Sequence, residues 1–399
     1  MLKSAHTKRL AFAVAMTATL GTTFVGGSAQ ADPKQLTAAV GVGSDTTQDV
    51  MNAMTGFTNG VNYTPIQSTS ASGYRQVISF DAVPPAGVAD ACITPKVGGP
   101  TFARPNGSGA GKNALSRAQD GTKYGNVACG GVQDVAGLVD FARSSAGPTS
   151  GDTGTALTYI PFGRDGVSFA YYRAAGSPVT SLTRAQLTTI FTSTTGATTI
   201  GGVRILPCGI QTSSGTYKFW NTVTTASTTA ENTATTECNN LLGVGTRAEE
   251  NDGTALKARG DAAEAATAGT QVIIGFSAGS FIAKSNLVAP GTPPAAVGIG
   301  SIDDGATPAV ITSPVTGVAP NLAPNTTFYA STIYGRNVYN IFPTAVIASA
   351  FGNDDLKSLF SGSTSSLCSA GTTIAKFGFQ TISTCGDITL KGSLTVGQI

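Results

Sequence analysis

The part of this 399-residue sequence that decides its fold is residues 138–147, which read Leu-Val-Asp-Phe-Ala-Arg-Ser-Ser-Ala-Gly. The first five residues are mostly apolar, which predicts a short buried strand over 138–142. Arg143, Ser144 and Ser145 then follow at the carboxyl end of that strand. Because ligands of open α/β sheets bind outside the carboxyl ends of the strands, these three side chains are predicted to line a binding site.

Three other stretches show a strand, a hydroxyl-rich turn and a helix in succession, and this alternation indicates an α/β fold with mostly parallel sheets. They cover residues 40–54, 101–118 and 202–223. Each turn places free backbone N–H groups at a helix start, where the helix dipole favours a negative charge. Together with Arg143, the turns predict a site for a compact oxyanion. The turn residues expected to contact the anion are Ser44, Asp45, Thr46, Ser108, Gly109, Ser214, Gly215 and Thr216.

Helix capping is the alternative explanation for each of these turns. Asp45 followed by Gln48 fits a capping box, and Ser108 is well placed to cap the helix that follows it. Arg143 taken alone could equally form a surface or interdomain ion pair. The glycine-rich turn at 105–111 lacks the Lys-Ser/Thr ending of a P-loop, which argues against nucleotide binding.

The composition excludes several classes of protein. The net charge is +2 and only 12% of the residues are charged, without the basic patch of a nucleic-acid-binding surface. The single histidine is His6, which lies in the predicted signal peptide. A mature chain without histidine cannot use Ser-His-Asp or Cys-His catalysis, nor histidine-ligated metals. The sequence therefore predicts a binding protein rather than an enzyme, without a cofactor or a metal.

The amino terminus predicts export from the cell. Residues 1–31 combine a basic start, an apolar run and an Ala-Gln-Ala cleavage site, as a cleavable signal peptide does. Six cysteines follow this segment, and an even number of cysteines in an exported chain favours disulfides. No C-x-x-C spacing supports the alternative of a metal cluster. Among the possible connectivities we predict the nearest-neighbour pairs Cys92–Cys129, Cys208–Cys238 and Cys368–Cys385.

The order of these motifs resembles that of the type II periplasmic solute-binding proteins, in particular the phosphate-binding component of the phosphate ABC transporter. Residues 41–46 and 107–111 are similar to the first two ligand loops of that family. Residues 140–145 resemble its strand end Asp-Phe-Gly-Ala-Ser-Asp, and residues 214–216 match its Ser-Gly-Thr. Later landmarks of the family are matched at residues 251–253 and 274–276.

The resemblance implies a two-lobed fold, in which each lobe is a mostly parallel sheet flanked by helices and two crossover segments join the lobes. The expected lobes comprise residues 32–174 with 329–399, and residues 175–328. The resemblance further implies a secreted, monomeric receptor that closes on phosphate or a similar oxyanion by hinge motion. Such a receptor would deliver its ligand to an ABC transporter permease.

This sequence departs from the family at two ligand positions. Ser145 stands where the family has an aspartate, and Ile210 and Gln211 occupy the region of its arginine. Asp45 and Arg143 are expected to supply the carboxylate and the guanidinium instead. The ligand could therefore be another oxyanion or a phosphorylated small molecule. Two other functions remain open, a phosphatase-like extracellular enzyme and a secreted or wall-associated protein that keeps the fold without transport.

Overall fold

A computed structural model of the chain describes residues 38–70, 76–84, 91–303, 311–350 and 352–395. The predicted signal peptide lies outside the described residues. The strands are β1 (Ala39–Gly43), β2 (Phe57–Thr58), β3 (Val61–Asn62), β4 (Val77–Ser79), β5 (Cys92–Ile93), β6 (Phe102–Ala103), β7 (Lys123–Asn126), β8 (Gly131–Asp134), β9 (Phe141–Ser144), β10 (Leu157–Arg173), β11 (Ser181–Thr183), β12 (Thr198–Ile200), β13 (Val203–Pro207), β14 (Thr270–Ser277), β15 (Gly298–Ile299), β16 (Ser301–Asp303), β17 (Ile311–Thr312), β18 (Val315–Thr316), β19 (Ala323–Pro324), β20 (Gly335–Pro343) and β21 (Lys391–Gly392). The helices are α1 (Gln48–Thr55), α2 (Ser108–Asp120), α3 (Arg184–Phe191), α4 (Gly215–Val223), α5 (Thr228–Asn240), α6 (Gly253–Ala266), α7 (Ala278–Ser285), α8 (Thr326–Ala330), α9 (Thr344–Ile347), α10 (Asp354–Phe360), α11 (Ser366–Ser369) and α12 (Gly371–Lys376).

A single large sheet runs through the molecule in the order β12-β13-β14-β10-β20-β9-β1-β4, and β15 and β21 also pair with β10. The pairs β13–β14, β9–β1 and β1–β4 are parallel. The long strands β10 and β20 pair antiparallel with each other and with their outer neighbours β14 and β9. The predicted α/β class is confirmed, and the parallel pairing lies on either side of this antiparallel centre.

Strand β10 connects the two sides of the sheet. Its first ten residues, 157–166, pair with β20, and its last seven, 167–173, pair with β14. The strand is rich in aromatic and β-branched residues and is buried over most of its length, as the propensities of these side chains favour. The same strand therefore belongs to both sides, and any motion of one side relative to the other would have to bend or twist β10.

The hydrophobic cores divide close to the same place, although Ala283 and Ala289, which follow β14, belong to one of the cores on the β1 side. One core is built from side chains between Val167 and Tyr334 and includes the fully buried Trp220. Two further cores pack against β1, β9 and the first part of β10, one of them around the stacked rings of Phe141 and Phe342. Burying one large apolar side chain contributes about 1.5–3 kcal/mol, so each side of the sheet has its own substantial source of stability.

All three predicted strand–turn–helix units are present, as β1 with α1, β6 with α2, and β13 with α4. The strand predicted over 138–142 begins three residues later, at Phe141, and ends at Ser144. The reason is pairing with partners distant in sequence, since Phe141 lies opposite Gly41 of β1 and Ser144 opposite Tyr339 of β20. Arg143 and Ser144 therefore lie within the strand, rather than after it.

The two capping predictions are wrong. Helix α1 begins at Gln48 itself, and the Gln48 side chain accepts a hydrogen bond from the backbone N–H of Ala82, at 2.9 Å, so no capping box forms with Asp45. Helix α2 begins at Ser108, one residue too early for Ser108 to be its cap. The side chains of Asp45 and Ser108 are consequently available for contacts with other parts of the chain.

The three predicted disulfides, Cys92–Cys129, Cys208–Cys238 and Cys368–Cys385, are confirmed. Each disulfide joins two cysteines with no other cysteine between them, 17 to 37 residues apart, so the crosslinks stabilise local segments. Among the described residues, no helix combines the length and the apolar content needed to cross a membrane.

Candidate functional site

The four turns singled out in the sequence meet at one place in the structure. The hydroxyl of Thr46, after β1, lies 3.4 Å from the hydroxyl of Thr216, at the start of α4. The N–H of Gly109 in α2 donates to the carbonyl of Ser213 at 2.8 Å. The N–H of Ser145, after β9, donates to the Ser108 hydroxyl at 3.0 Å. Contacts between residues 37 to 170 positions apart therefore assemble a single polar site.

The starts of helices α2 and α4 face each other in this site. Ser214 caps α4, because its hydroxyl accepts from the N–H groups of Thr216 at 2.9 Å and Tyr217 at 3.3 Å. The Ser108 hydroxyl, which caps nothing, lies 3.3 Å from the hydroxyl of Ser145. Two helix starts bring two positive dipole ends together, an arrangement that favours an anion.

Gly215 allows this close approach. A Cβ atom at this position would lie 2.5 Å from the Ser145 hydroxyl oxygen and 2.6 Å from that of Ser108. Both distances are shorter than any real contact of a Cβ atom. Only glycine therefore lets the start of α4 reach the two serine hydroxyls.

Arg143 is fully buried and turned towards the backbone of β1 and of the residue that follows it. It donates from Nε to the carbonyl of Ser44 at 3.2 Å, and from Nη2 to that of Gly43 at 2.7 Å. Its Nη1 donates to the Ser79 hydroxyl at 2.7 Å and to the Gly41 carbonyl at 3.4 Å. The guanidinium predicted to hold the anion thus satisfies buried oxygens of the chain, which points to a role in positioning the Ser44 turn.

Arg336, in β20, is the guanidinium that the sequence analysis missed. It is 5% exposed, and its Nε and Nη2 both donate to Oδ2 of Asp165, at 3.1 and 2.9 Å. Nη2 also donates to the Thr216 hydroxyl at 2.8 Å. The remaining nitrogen, Nη1, is buried and has no hydrogen-bond partner among the described residues. An unpaired, buried N–H donor is costly, and an anion would satisfy it.

A cavity of about 720 Å³ opens beside these groups. Its wall includes five of the site residues, Ser108, Gly109, Ser144, Ser145 and Arg336. Of these, Ser144 is engaged locally, since its hydroxyl donates to the carbonyl of Ala146 at 2.7 Å. The other predicted residues, Ser44, Asp45, Thr46, Arg143, Ser214, Gly215 and Thr216, do not line this cavity.

An acidic cluster formed by Asp45, Glu249 and Glu250 lies on the far side of Thr46. One carboxylate oxygen from each residue lies within 4.8 Å of the others, a spacing that one cation could bridge. The Glu250 carboxylate accepts from the Ser214 hydroxyl at 2.5 Å and from the Thr46 hydroxyl at 3.4 Å. Asp45 accepts from the side-chain amide of Asn251 at 3.0 Å.

Burial and mutual repulsion keep protons on this cluster. Burial, followed by the charge of Asp45, raises the pKa of Glu249 to about 7. The same two causes hold the pKa of Glu250 well above its ordinary value. Protonated carboxyls carry no charge, so the cluster repels a neighbouring anion much less than three carboxylates would.

Of the site residues that the sequence analysis did not select, only Glu249 and Glu250 have a signal in the sequence. They directly precede the Asn251-Asp252-Gly253 turn, which was noted only as a landmark of the family. Nothing near Arg336 in sequence suggests a ligand. Its role depends on Asp165, its partner across the β10–β20 pairing, which is 171 residues away.

No family model and no curated protein matches this sequence. Solved structures that resemble it include an ABC-type phosphate transport receptor from Vibrio cholerae, with 15% identity, 86% of this chain and 100% of that chain covered, and a TM-score of 0.45. A phosphate-binding protein from Stenotrophomonas maltophilia shows 15% identity over 88% of this chain and 91% of that one, with a TM-score of 0.44. PstS from Borrelia burgdorferi shows 13% identity over 86% and 98%, with a TM-score of 0.37. All of these TM-scores are below 0.5, so the ligand of this chain has to be inferred from its own residues.

Proposed function

We propose that this protein is an exported binding protein that holds phosphate, or a related small oxyanion, beside Arg336. The observation that carries the proposal is the buried Nη1 of Arg336, which lacks a partner among the described residues. Arg336 lines the same cavity as Ser108 and Ser145, whose hydroxyls lie 3.3 Å apart. A guanidinium nitrogen, two hydroxyls and two helix starts together supply the hydrogen bonds that a tetrahedral oxyanion accepts.

Binding, rather than catalysis, suits these groups. The Ser108 and Ser145 hydroxyls have each other and a backbone N–H as neighbours, and the sole histidine of the chain lies in the predicted signal peptide. A serine nucleophile needs an adjacent general base, which this arrangement does not offer. Phosphate is the ligand named for the similar structures, so it is the first oxyanion to test.

The division of the cores supports a hinge mechanism. We place one lobe at residues 32–174 with 329–399 and the other at residues 175–328, joined by β10 and by the segment that leads into β20. Ser108 and Ser145 then belong to the first lobe and Gly215 to the second, so binding would bring the lobes together. Export by the predicted signal peptide and delivery to an ABC permease, by a monomeric receptor, complete the proposal.

Calorimetric titration of ligand-free protein with phosphate tests the proposed function, and sulfate serves as the competing oxyanion. We expect 1:1 binding of phosphate with a dissociation constant of about 1 μM or below, which corresponds to about 8 kcal/mol. Sulfate should bind more weakly because, unlike phosphate, it has no proton to donate to the hydroxyl oxygen of Ser108 or Ser145. The absence of both heat and thermal stabilisation at millimolar phosphate would exclude the proposed function.

A further inference from the structure

The cavity beside Arg336 is much larger than a tetrahedral oxyanion needs. Its volume of about 720 Å³ lies in the range of roughly 300–1,000 Å³ that is typical of pockets for organic ligands. The oxyanion groups, Ser108, Ser145 and Arg336, are only one part of its wall. The rest of the cavity is therefore available to a part of the ligand beyond the oxyanion itself.

Three cations give the rest of the wall a positive charge. Arg164 donates to the carbonyls of Tyr329 and Ser331 and to the side chain of Asn337, and the other two cations are lysines. Lys112 of α2 and Lys218 of α4 both line the cavity, and no acidic residue does among the described residues. The ammonium groups of both lysines have no hydrogen-bond or ion-pair partner in the described part of the chain. Burial, and in smaller part the charge of Lys218, lowers the pKa of Lys112.

The carboxylate of Asp152, which attracts Lys112, makes its hydrogen bonds to other residues. Asp152 raises the pKa of Lys112, but its own oxygens accept from the N–H and hydroxyl of Ser393 and from the N–H of Gly154. Lys112 also lies over the ring of Tyr159, 6.0 Å from the centroid. A cation held over an aromatic ring beside a second cation is a place where an anionic group gains stabilisation from both.

Aromatic rings form a further part of the cavity wall. Tyr159 and Tyr339 pack edge to face with their centroids 6.0 Å apart, and both line the cavity. Phe219 lines it on the α4 side, with the guanidinium of Arg336 5.5 Å from the centroid of its ring. Such surfaces favour the carbon skeleton of an organic molecule over water.

We propose that the natural ligand is an organic phosphate monoester that carries a second anionic group. The phosphate lies against Arg336, Ser108 and Ser145, the carbon skeleton contacts the aromatic wall, and the second anionic group reaches Lys112 and Lys218. This inference rests on the proposed function, because it takes the oxyanion site as the anchor. It adds the class of ligand that the remaining cavity selects.

Three probes of increasing complexity test the inference by calorimetry: inorganic phosphate, glycerol 3-phosphate and 3-phosphoglycerate. The two esters have the same number of carbons, and only the second carries a carboxylate. We expect 3-phosphoglycerate to bind about tenfold more tightly than either of the other two, or better. In the variant Lys112→Gln/Lys218→Gln, the ratio of the affinity for 3-phosphoglycerate to that for either other probe should fall below about threefold. Lys123→Gln/Lys257→Gln removes the same charge away from the cavity and should leave the ratio unchanged.

The outcomes separate this inference from the proposed function. If inorganic phosphate binds as tightly as both esters, or more tightly, the inference is overturned and the proposed function stands. If 3-phosphoglycerate is preferred but the Lys112/Lys218 variant keeps the preference, the assignment of the lysines is overturned. If none of the three probes binds, the proposed function fails as well.

Discussion

Asp165 and Arg336 lie directly opposite each other in the antiparallel pairing of β10 and β20, and two nitrogens of Arg336 donate to one oxygen of Asp165. The other oxygen of Asp165 accepts from the Ser277 hydroxyl and from the N–H of Gly279, both at 3.0 Å. Asp165 thereby fixes both the start of α7 and the orientation of Arg336. This ion pair, in the strands that connect the two sides of the sheet, uses Nε and Nη2 and leaves Nη1 without a hydrogen-bond partner among the described residues.

Arg336→Gln should abolish phosphate binding, since it removes the unpaired donor together with the positive charge. It should also destabilise the protein by about 3–5 kcal/mol, because Asp165 is left as an uncompensated buried charge. Calorimetry and denaturant unfolding measure the two effects separately.

The double variant Asp165→Asn/Arg336→Gln separates folding from binding. We expect it to recover much of the lost stability, because no buried charge remains unpaired, and still to bind no phosphate. Arg204→Gln, which breaks an ion pair with Glu237 that is partly exposed, is the control and should bind like the wild type. Phosphate binding by the double variant would remove Arg336 from the site.

Arg143→Lys should lower stability much more than it lowers affinity. Lysine keeps a positive charge but cannot reach the carbonyls of Gly43 and Ser44 and the Ser79 hydroxyl together, so buried acceptors lose their donors. We expect a loss of about 2–3 kcal/mol in the free energy of unfolding. Unchanged stability with affinity lost a hundredfold would instead make Arg143 a direct ligand of the anion.

Gly215→Ala should weaken phosphate binding while the fold is kept. The added Cβ would overlap the hydroxyls of both Ser108 and Ser145, so α4 and the serines have to move apart. We expect a loss of about 2 kcal/mol or more in binding free energy, the cost of misplacing two hydrogen-bonding groups. Gly371→Ala is the matched control, since its Cβ would meet only a Thr381 methyl at 3.2 Å. Wild-type affinity in Gly215→Ala would show that the helix starts need not approach this closely.

The protein should be more stable at pH 5 than at pH 8. Glu249 has a pKa of about 7 in the folded chain, above that of an unfolded glutamate, so the folded state binds more protons between these values. The stabilising contribution of Glu249 is therefore complete below the pKa of a glutamate in the unfolded chain, and it is lost as the pH rises through about 7. Thermal unfolding at both pH values measures the difference, at most about 3 kcal/mol from this group.

Two variants connect the pH effect to the acidic cluster. Glu249→Gln should reduce the difference in stability between pH 5 and pH 8, because glutamine stays neutral at both. Glu264→Gln, in α6, makes the same exchange at a residue whose carboxylate accepts from the N–H of Gly269. This control should leave the difference as it is in the wild type. A protein that becomes more stable from pH 5 to pH 8 would contradict the account of the cluster.

Local patterns in the sequence were enough to predict the three strand–turn–helix units, the disulfides and the meeting of the four turns. The choice of Arg143 as an anion ligand depended on its position beside Ser144 and Ser145. In the structure, Phe141 pairs with Gly41, so Arg143 lies within β9 rather than after it. Its guanidinium therefore donates to the Gly43 carbonyl of β1. Arg336 acquires its role only from Asp165, and no local pattern predicts which residues two distant strands place opposite each other.

A crystal structure of the protein with bound phosphate tests the central claim most directly. The account predicts tetrahedral density within hydrogen-bonding distance of Nη1 of Arg336 and of the hydroxyls of Ser108 and Ser145. Phosphate bound elsewhere, with Nη1 of Arg336 turned to a group of the protein itself, would contradict it.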